Sequence, residues 1–166
     1  MRVPIRKGGK YTYLKPDPNL TPEKFLVLQK NLEKLIKIIR PQAAKDVKRL
    51  GENGDFSENA EYQIAKGRLR GINQRIIDLQ DQLKNVQIIK PNKNAQTIQL
   101  GHTVSVAING QIKTFQILGS AETDPAKHII SHNSPLGQAL MGHKAGDEIT
   151  INLRGKKAEY KIMKIK

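Results

Sequence analysis

From Ala65 to Val86 the apolar residues Ala65, Leu69, Ile72, Ile76, Leu79, Leu83 and Val86 recur at alternating steps of four and three. That spacing is a coiled-coil seam, a narrow apolar stripe that one helix leaves exposed until another covers it. A covering helix is available immediately upstream, where Phe25, Leu28, Leu32, Leu35, Ile39, Ala43, Val47 and Leu50 also advance by three or four. Thr21-Pro22-Glu23 gives that helix a start, with Thr21 as N-cap and Pro22 at the first helical position, where a missing N–H costs nothing. Pro41 falls inside the pattern and predicts a kink. With Glu52-Asn53-Gly54 ending the first helix, the two form an antiparallel hairpin, and ~30 residues at ~1.5 Å each make it about 45 Å long.

After Lys90-Pro91-Asn92 the period changes to two. Thr103–Ile108 and Gln111–Ile117 alternate on either side of Asn109-Gly110, a strong hairpin signal. Further strands read at His128–Ser131, Glu148–Leu153 and Ala158–Ile165, and a short helical turn at Leu136–Met141 follows Ser134-Pro135. The expected fold is therefore α+β: an N-terminal antiparallel helical coiled-coil hairpin over residues 21–90, then a small antiparallel β domain with one short helix over residues 95–166. Residues 1–20 combine Pro4, Gly8, Gly9, Pro16 and Pro18 with scattered bases and read as a basic flexible arm.

The formal net charge is +14, and every part shares it: residues 1–20 carry five bases and one acid, residues 21–90 carry 14 and 9, and residues 91–166 carry 10 and 5. So even a bias points to contact with nucleic acid or an anionic complex. There is no cysteine, which excludes disulfides, thiolate metal sites and cysteine nucleophiles. No apolar stretch approaches the ~20 residues of a membrane span, and the expectation is a cytoplasmic protein with no membrane partner.

Between Asp46 and Asp78 all the carboxylates fall within ten residues, at Glu52, Asp55, Glu58 and Glu61, at the end of the hairpin. Lys66, Arg68, Arg70 and Arg75 follow with no acid from residue 62 to 77, so i, i+4 ion pairs cannot form for them along their own helix. Asp55 and Glu58 have the spacing of a capping box, which satisfies helix amides. That leaves Glu52 and Glu61 unexplained. A carboxylate pair on one face can instead hold a hard cation such as Mg²⁺, weakly by itself and usefully only beside a metal held by another protein. The four histidines, His102, His128, His132 and His143, show no metal-like spacing and read as surface or structural residues.

The run Gly54-Asp-Phe-Ser-Glu-Asn-Ala-Glu-Tyr-Gln63 resembles the tip motif of the bacterial Gre transcript-cleavage factors, and the likeness continues through Lys66-Gly-Arg-Leu-Arg70, Arg75 and Asn133-Ser-Pro-Leu-Gly-Gln-Ala-Leu140. It covers about residues 21–166, and Ser57 with Arg68-Leu69-Arg70 resembles the GreB branch more than GreA. The resemblance implies a factor that enters the secondary channel of a backtracked RNA polymerase tip first. Asp55 and Glu58 would help hold a second Mg²⁺, shared with the polymerase, which itself cuts the RNA. Lys66, Arg68, Arg70 and Arg75 would hold the RNA 3′ segment, and the C-terminal domain would be FKBP-like and dock through Ser134 and Pro135. The implied partners are RNA polymerase, nascent RNA and the DNA of the elongation complex, met by a monomer.

Residues 1–20 are outside the usual family pattern, and Phe56 stands where Leu or Arg is more familiar. Three other readings remain open: a channel-binding regulator that does not stimulate cleavage, a general nucleic-acid-binding coiled coil whose acidic tip is only a cap, and a prolyl isomerase. The last needs an aromatic-lined cleft, for which the C-terminal part offers only Phe115 and Tyr160.

Overall fold

Residues 17–52, 60–92, 95–153 and 156–166 are described by a computed structural model. The first helix opens as its sequence dictates: Thr21 is extended and its hydroxyl accepts from the Lys24 amide at 3.2 Å, with Pro22 in the first turn. Helix α1 runs Pro22–Lys34 and α2 Arg40–Gly51, and between them Leu35–Ile39 widens into a π turn in which the Arg40 amide donates to the Leu35 carbonyl. Pro41 explains the widening, because it has no N–H to donate and its ring crowds the carbonyl one turn back. The kink expected at Pro41 takes the form of this π turn.

Helix α3, Ala60–Lys84, returns beside α1 and α2, and its 25 described residues span about 37 Å. Every seam position from Ala65 to Val86 is buried or half-buried, as is every apolar position counted on the first helix. Among the described residues of the rod helices only Leu35, Ala43 and Ile76 are buried, because two helices cover a single stripe and leave the other faces to solvent.

The rod is clasped at its base by two short strands that the sequence pattern does not predict. Strand β1, Asn19–Leu20, pairs in parallel with β2, Gln87–Ile88. The Gln87 amide donates to the Pro18 carbonyl and the Ile89 amide to that of Leu20, each at 2.8 Å. Leu20 is completely buried. Thus the end of the expected arm, residues 17–20, belongs to the folded base; residues 1–16 lie outside the described part.

The second unit is a five-stranded sheet in the order β5-β4-β3-β7-β6, built from β3 Thr103–Ile108, β4 Gln111–Leu118, β5 Ile129–Ser131, β6 Glu148–Leu153 and β7 Lys156–Ile165. Asn109 and Gly110 both have positive φ, at 48° and 76°, as the predicted two-residue turn requires. The sheet is mostly antiparallel, as expected, with one parallel pair at its edge, where β5 runs beside β4. Alternation puts Val104, Val106, Ile149, Ile151, Tyr160 and Ile162 on one face, where Ile98, Ile117 and Leu140 complete the core. Leu140 comes from α4, Pro135–Leu140, which covers that face.

Rod and sheet domain are joined by specific bonds. The Thr21 amide and hydroxyl donate to the two carboxylate oxygens of Glu122, each at 2.6 Å. Asp17 accepts from the Ser120 amide at 2.7 Å and from the amide and side chain of Asn19 at 3.0 and 2.8 Å, and lies 3.4 Å from His132 Nδ1. Burial pushes the Asp17 carboxyl up, but the donors from Ser120 and Asn19 more than offset it and hold the group below its ordinary value. At Gly119 a Cβ would sit 2.0 Å from the Asn19 carbonyl oxygen, so this contact admits only glycine.

Candidate functional site

Antiparallel packing puts the ends of α2 and α3 at the end of the rod away from the β1–β2 clasp. Residues 53–59, which carry Asp55 and Glu58, connect Glu52 to Ala60 there and lie outside the described residues, so the structure leaves the metal reading of these two untested. Two carboxylates are hard oxygen donors suited to Mg²⁺, which takes few protein ligands and retains water. Among the described residues no cluster of three metal-ligating side chains occurs. Glu61 is described and exposed on the first turn of α3.

Just behind this end the helices leave a groove lined by Ala43, Asp46, Arg49, Leu50, Glu61, Ile64, Ala65 and Arg68. Its walls combine an Arg49–Asp46 contact at 4.0 Å with Ile64, which is 72% exposed. The sequence pattern misses this groove: Ile64 lies off the seam and reads as an ordinary surface residue.

Lys66, Arg68, Arg70 and Arg75 are all exposed on α3, and none pairs with a carboxylate among the described residues. They do not form one patch. At ~100° per residue Lys66 and Arg70 share one flank of the helix, while Arg68 and Arg75 lie roughly 180° round on the other. Two rails of positive charge therefore border the seam. Lys66 stands 5.8 Å from the centroid of Tyr62, which is half-buried, so the ring steadies one cation near the tip end.

In the sheet domain Ser134 caps α4. Its hydroxyl accepts from the Gly137 amide at 3.0 Å and donates to the Ser131 carbonyl at 2.6 Å, while Pro135 occupies the first turn and is exposed. The hydroxyl is thus committed inward, and a partner approaching this segment meets Pro135 and Gln138. Gly137 is required here, since a Cβ would lie 2.1 Å from the Ser131 carbonyl oxygen.

The histidines take structural places. His102 is buried, its Nδ1 accepting from the Gln99 amide at 3.2 Å and its Nε2–H donating to the Asn92 carbonyl at 2.9 Å. His128 meets the Phe115 ring edge-on, His132 stands at the Asp17 junction, and His143 pairs with Asp147 at 3.1 Å. The amide of Lys144 and the ring of His143 hold the Asp147 carboxyl below its ordinary value. No helix among the described residues is long and apolar enough to cross a membrane.

Two family models match this chain: "Transcription elongation factor, N-terminal" over residues 19–88 and "Transcription elongation factor, GreA/GreB, C-term" over residues 92–166. Among curated proteins it is similar to the transcription elongation factor GreA of Mesomycoplasma hyopneumoniae, 37% identical over 139 residues, 82% of this chain and 87% of that one. It is also similar to GreA of Nautilia profundicola, 38% identical over 141 residues, 83% and 87% of the two chains. The GreA factor homolog of Thermus thermophilus is 27% identical over 89% of this chain and 97% of that one, at a TM-score of 0.40, a superposition too loose to bear on how the parts sit. The curated relatives carry the GreA name, so the lean toward the GreB branch finds no support.

Proposed function

Because the chain belongs to the GreA/GreB family of transcription elongation factors, we propose that it enters the secondary channel of a stalled RNA polymerase rod first and stimulates the polymerase's own cleavage of backtracked RNA. The observation that carries the reading is the layout of charge along the rod. A thin two-helix rod ends in a segment bearing Asp55 and Glu58, and α3 behind it bears four bases that pair with no carboxylate among the described residues.

In this reading Asp55 and Glu58 offer oxygen donors to a second Mg²⁺ shared with the polymerase, which when bound would activate water toward the phosphodiester. Lys66 and Arg70 on one rail, and Arg68 and Arg75 on the other, hold the extruded RNA beside the carboxylates without neutralising them. The segment at Ser134 and Pro135 rests on the polymerase, Ser134 by shaping α4 and Pro135 by contact. The chain has no reaction of its own; it supplies groups to the polymerase.

The test is RNA cleavage in stalled elongation complexes. Asp55→Asn and Glu58→Gln should each lower cleavage by at least about 100-fold while the variants still compete with wild type for the polymerase. Full cleavage by either variant rejects the carboxylate role. If the variants bind normally and wild type itself stimulates no cleavage, the chain is a channel-binding regulator.

A further inference from the structure

Arg68 and Arg75 form one of the two basic rails on α3 and stand about 10 Å apart along it. Followed toward the tip, the same flank carries Ile64 and Glu61. At ~100° per residue all four lie within about 60° of one another. Arg68 belongs both to this rail and to the wall of the groove between α2 and α3, whereas on the opposite rail Lys66 stands over Tyr62. The groove has an apolar floor of Ala43, Leu50 and Ala65, and Ile64, 72% exposed, forms its outer wall. Its volume of about 280 Å³ is at the small end of ligand sites, which run ~300–1,000 Å³, and suits one ring system rather than a helix. The two carboxylates on its rim differ: Asp46 lies 4.0 Å from Arg49, while Glu61 pairs with no base among the described residues.

We propose that this groove is a base-binding subsite. It takes one unpaired nucleobase of the RNA whose phosphates lie on Arg68 and Arg75, and Glu61 makes it favour guanine. The assignment rests on the RNA-holding role given above to those two arginines. Glu61 and Asp46 repel a phosphate, so the strand's charge stays on the rail. A base is uncharged, its face covers Ile64 and takes that apolar surface out of water, and its edge brings N–H donors to an acceptor that lacks them. Guanine offers two such donors side by side, N1–H and the N2 amino group, which one carboxylate accepts together. Uracil offers a single N–H between two carbonyl oxygens, which a carboxylate repels. An apolar side chain of the polymerase competes for the same floor, but it would leave Glu61 without a donor and make no use of Arg68.

The test uses the full chain without polymerase and 5′-fluorescent RNA hexamers, all uridine or ending in one 3′ guanosine, read by anisotropy across a salt series. Wild type should bind the guanosine hexamer about fivefold more tightly, the low end for a bidentate pair. Glu61→Ala should erase that preference. Ile64→Ser, a change at a mostly exposed position, should weaken both RNAs about threefold. Arg68→Gln should keep the preference and flatten the plot of log affinity against log salt by about 0.7, one phosphate contact. Equal affinity of wild type for the two hexamers, or a preference that survives Glu61→Ala, overturns the proposal. So does normal RNA binding by Ile64→Ser together with weakened binding to the polymerase, which would give the groove to a protein side chain. An unaltered salt slope in Arg68→Gln removes the RNA-holding role itself, and the subsite with it. No cleavage is read and neither Asp55 nor Glu58 is changed, so failure of the subsite and failure of the cleavage role are distinguishable.

Discussion

In the sheet domain nine buried side chains from four strands, α4 and the approach to β3 form one cluster, whereas among the described residues the rod helices bury Leu35, Ala43 and Ile76. The rod also leaves Leu26, Val27, Ile36, Ile38, Ile64 and Ile77 substantially exposed, against Ile112 and Met163 in the sheet domain. The sheet folds around long-range contacts that must form together, while the rod is stabilised turn by turn along a stripe. A body with a shared core suits resting on a partner's surface. A rod whose faces are nearly all solvent-exposed suits insertion, since any of those faces can meet a partner without unfolding it.

The largest effect expected from this contrast is in the sheet. Leu140→Ala removes a fully buried side chain from the shared cluster and should cost about 4 kcal/mol. Hydrogen exchange should then accelerate across β3, β4, β6 and β7 together. In the rod, Ile76→Ala should cost about 2 kcal/mol, the low end for a buried aliphatic, because solvent lies close by on either side of the stripe. Its faster exchange should stay within α3 and the facing turns of α1 and the π turn. If Ile76→Ala loosens the sheet as much as Leu140→Ala does, the two regions are one cooperative unit and the contrast fails.

The junction decides how far they are coupled. Asp17→Ala removes several hydrogen bonds to a charged group and should cost about 2 kcal/mol, read as a lowered midpoint in urea. The acid response gives the same answer with a definite sign. Asp17 is held below its ordinary value of 3.8, so its contribution is fully present above that value and is lost as pH falls through the lower folded value. Asp17→Asn should therefore flatten the stability profile below about pH 4 and leave its shape near neutrality unchanged. An identical acid limb in wild type and variant would remove Asp17 from the coupling.

What the sequence discloses divides along similar lines. Periodic features are legible: every seam residue from Ala65 to Val86 is covered, and the Asn109-Gly110 turn and the Ser134-Pro135 start of α4 are where residue chemistry puts them. The π turn is only half legible, since Pro41 announces a disturbance and not its form. The β1–β2 clasp, the parallel β4–β5 pair and the Thr21–Glu122 bonds are invisible, because two- and three-residue strands have no period and a bond across 101 residues leaves no local trace. At the candidate site the four bases are legible as charge, and their division into two rails follows from the ~100° step per residue once their segment is taken as helix.

The smallest expected effect bears most directly on why the rod's outer face is built as it is. Gly67 and Gly71 lie on α3 one turn apart, and a Cβ at either would meet nothing within 4 Å. No packing among the described residues asks for glycine, so each costs the helix its usual penalty against alanine. Gly67→Ala and Gly71→Ala should each stabilise the rod by about 0.5–1 kcal/mol, seen as slower exchange of α3 amides near the tip end, with the sheet domain unchanged. Both lie between the two rails of bases, on the side of α3 away from the seam. If the stabilised variants retain full cleavage stimulation, the glycines are ordinary imperfections of an exposed helix. If stimulation falls while α3 becomes more stable, something outside the chain approaches the α3 backbone more closely than a methyl group allows, and the rod's low stability there is set by what it fits into.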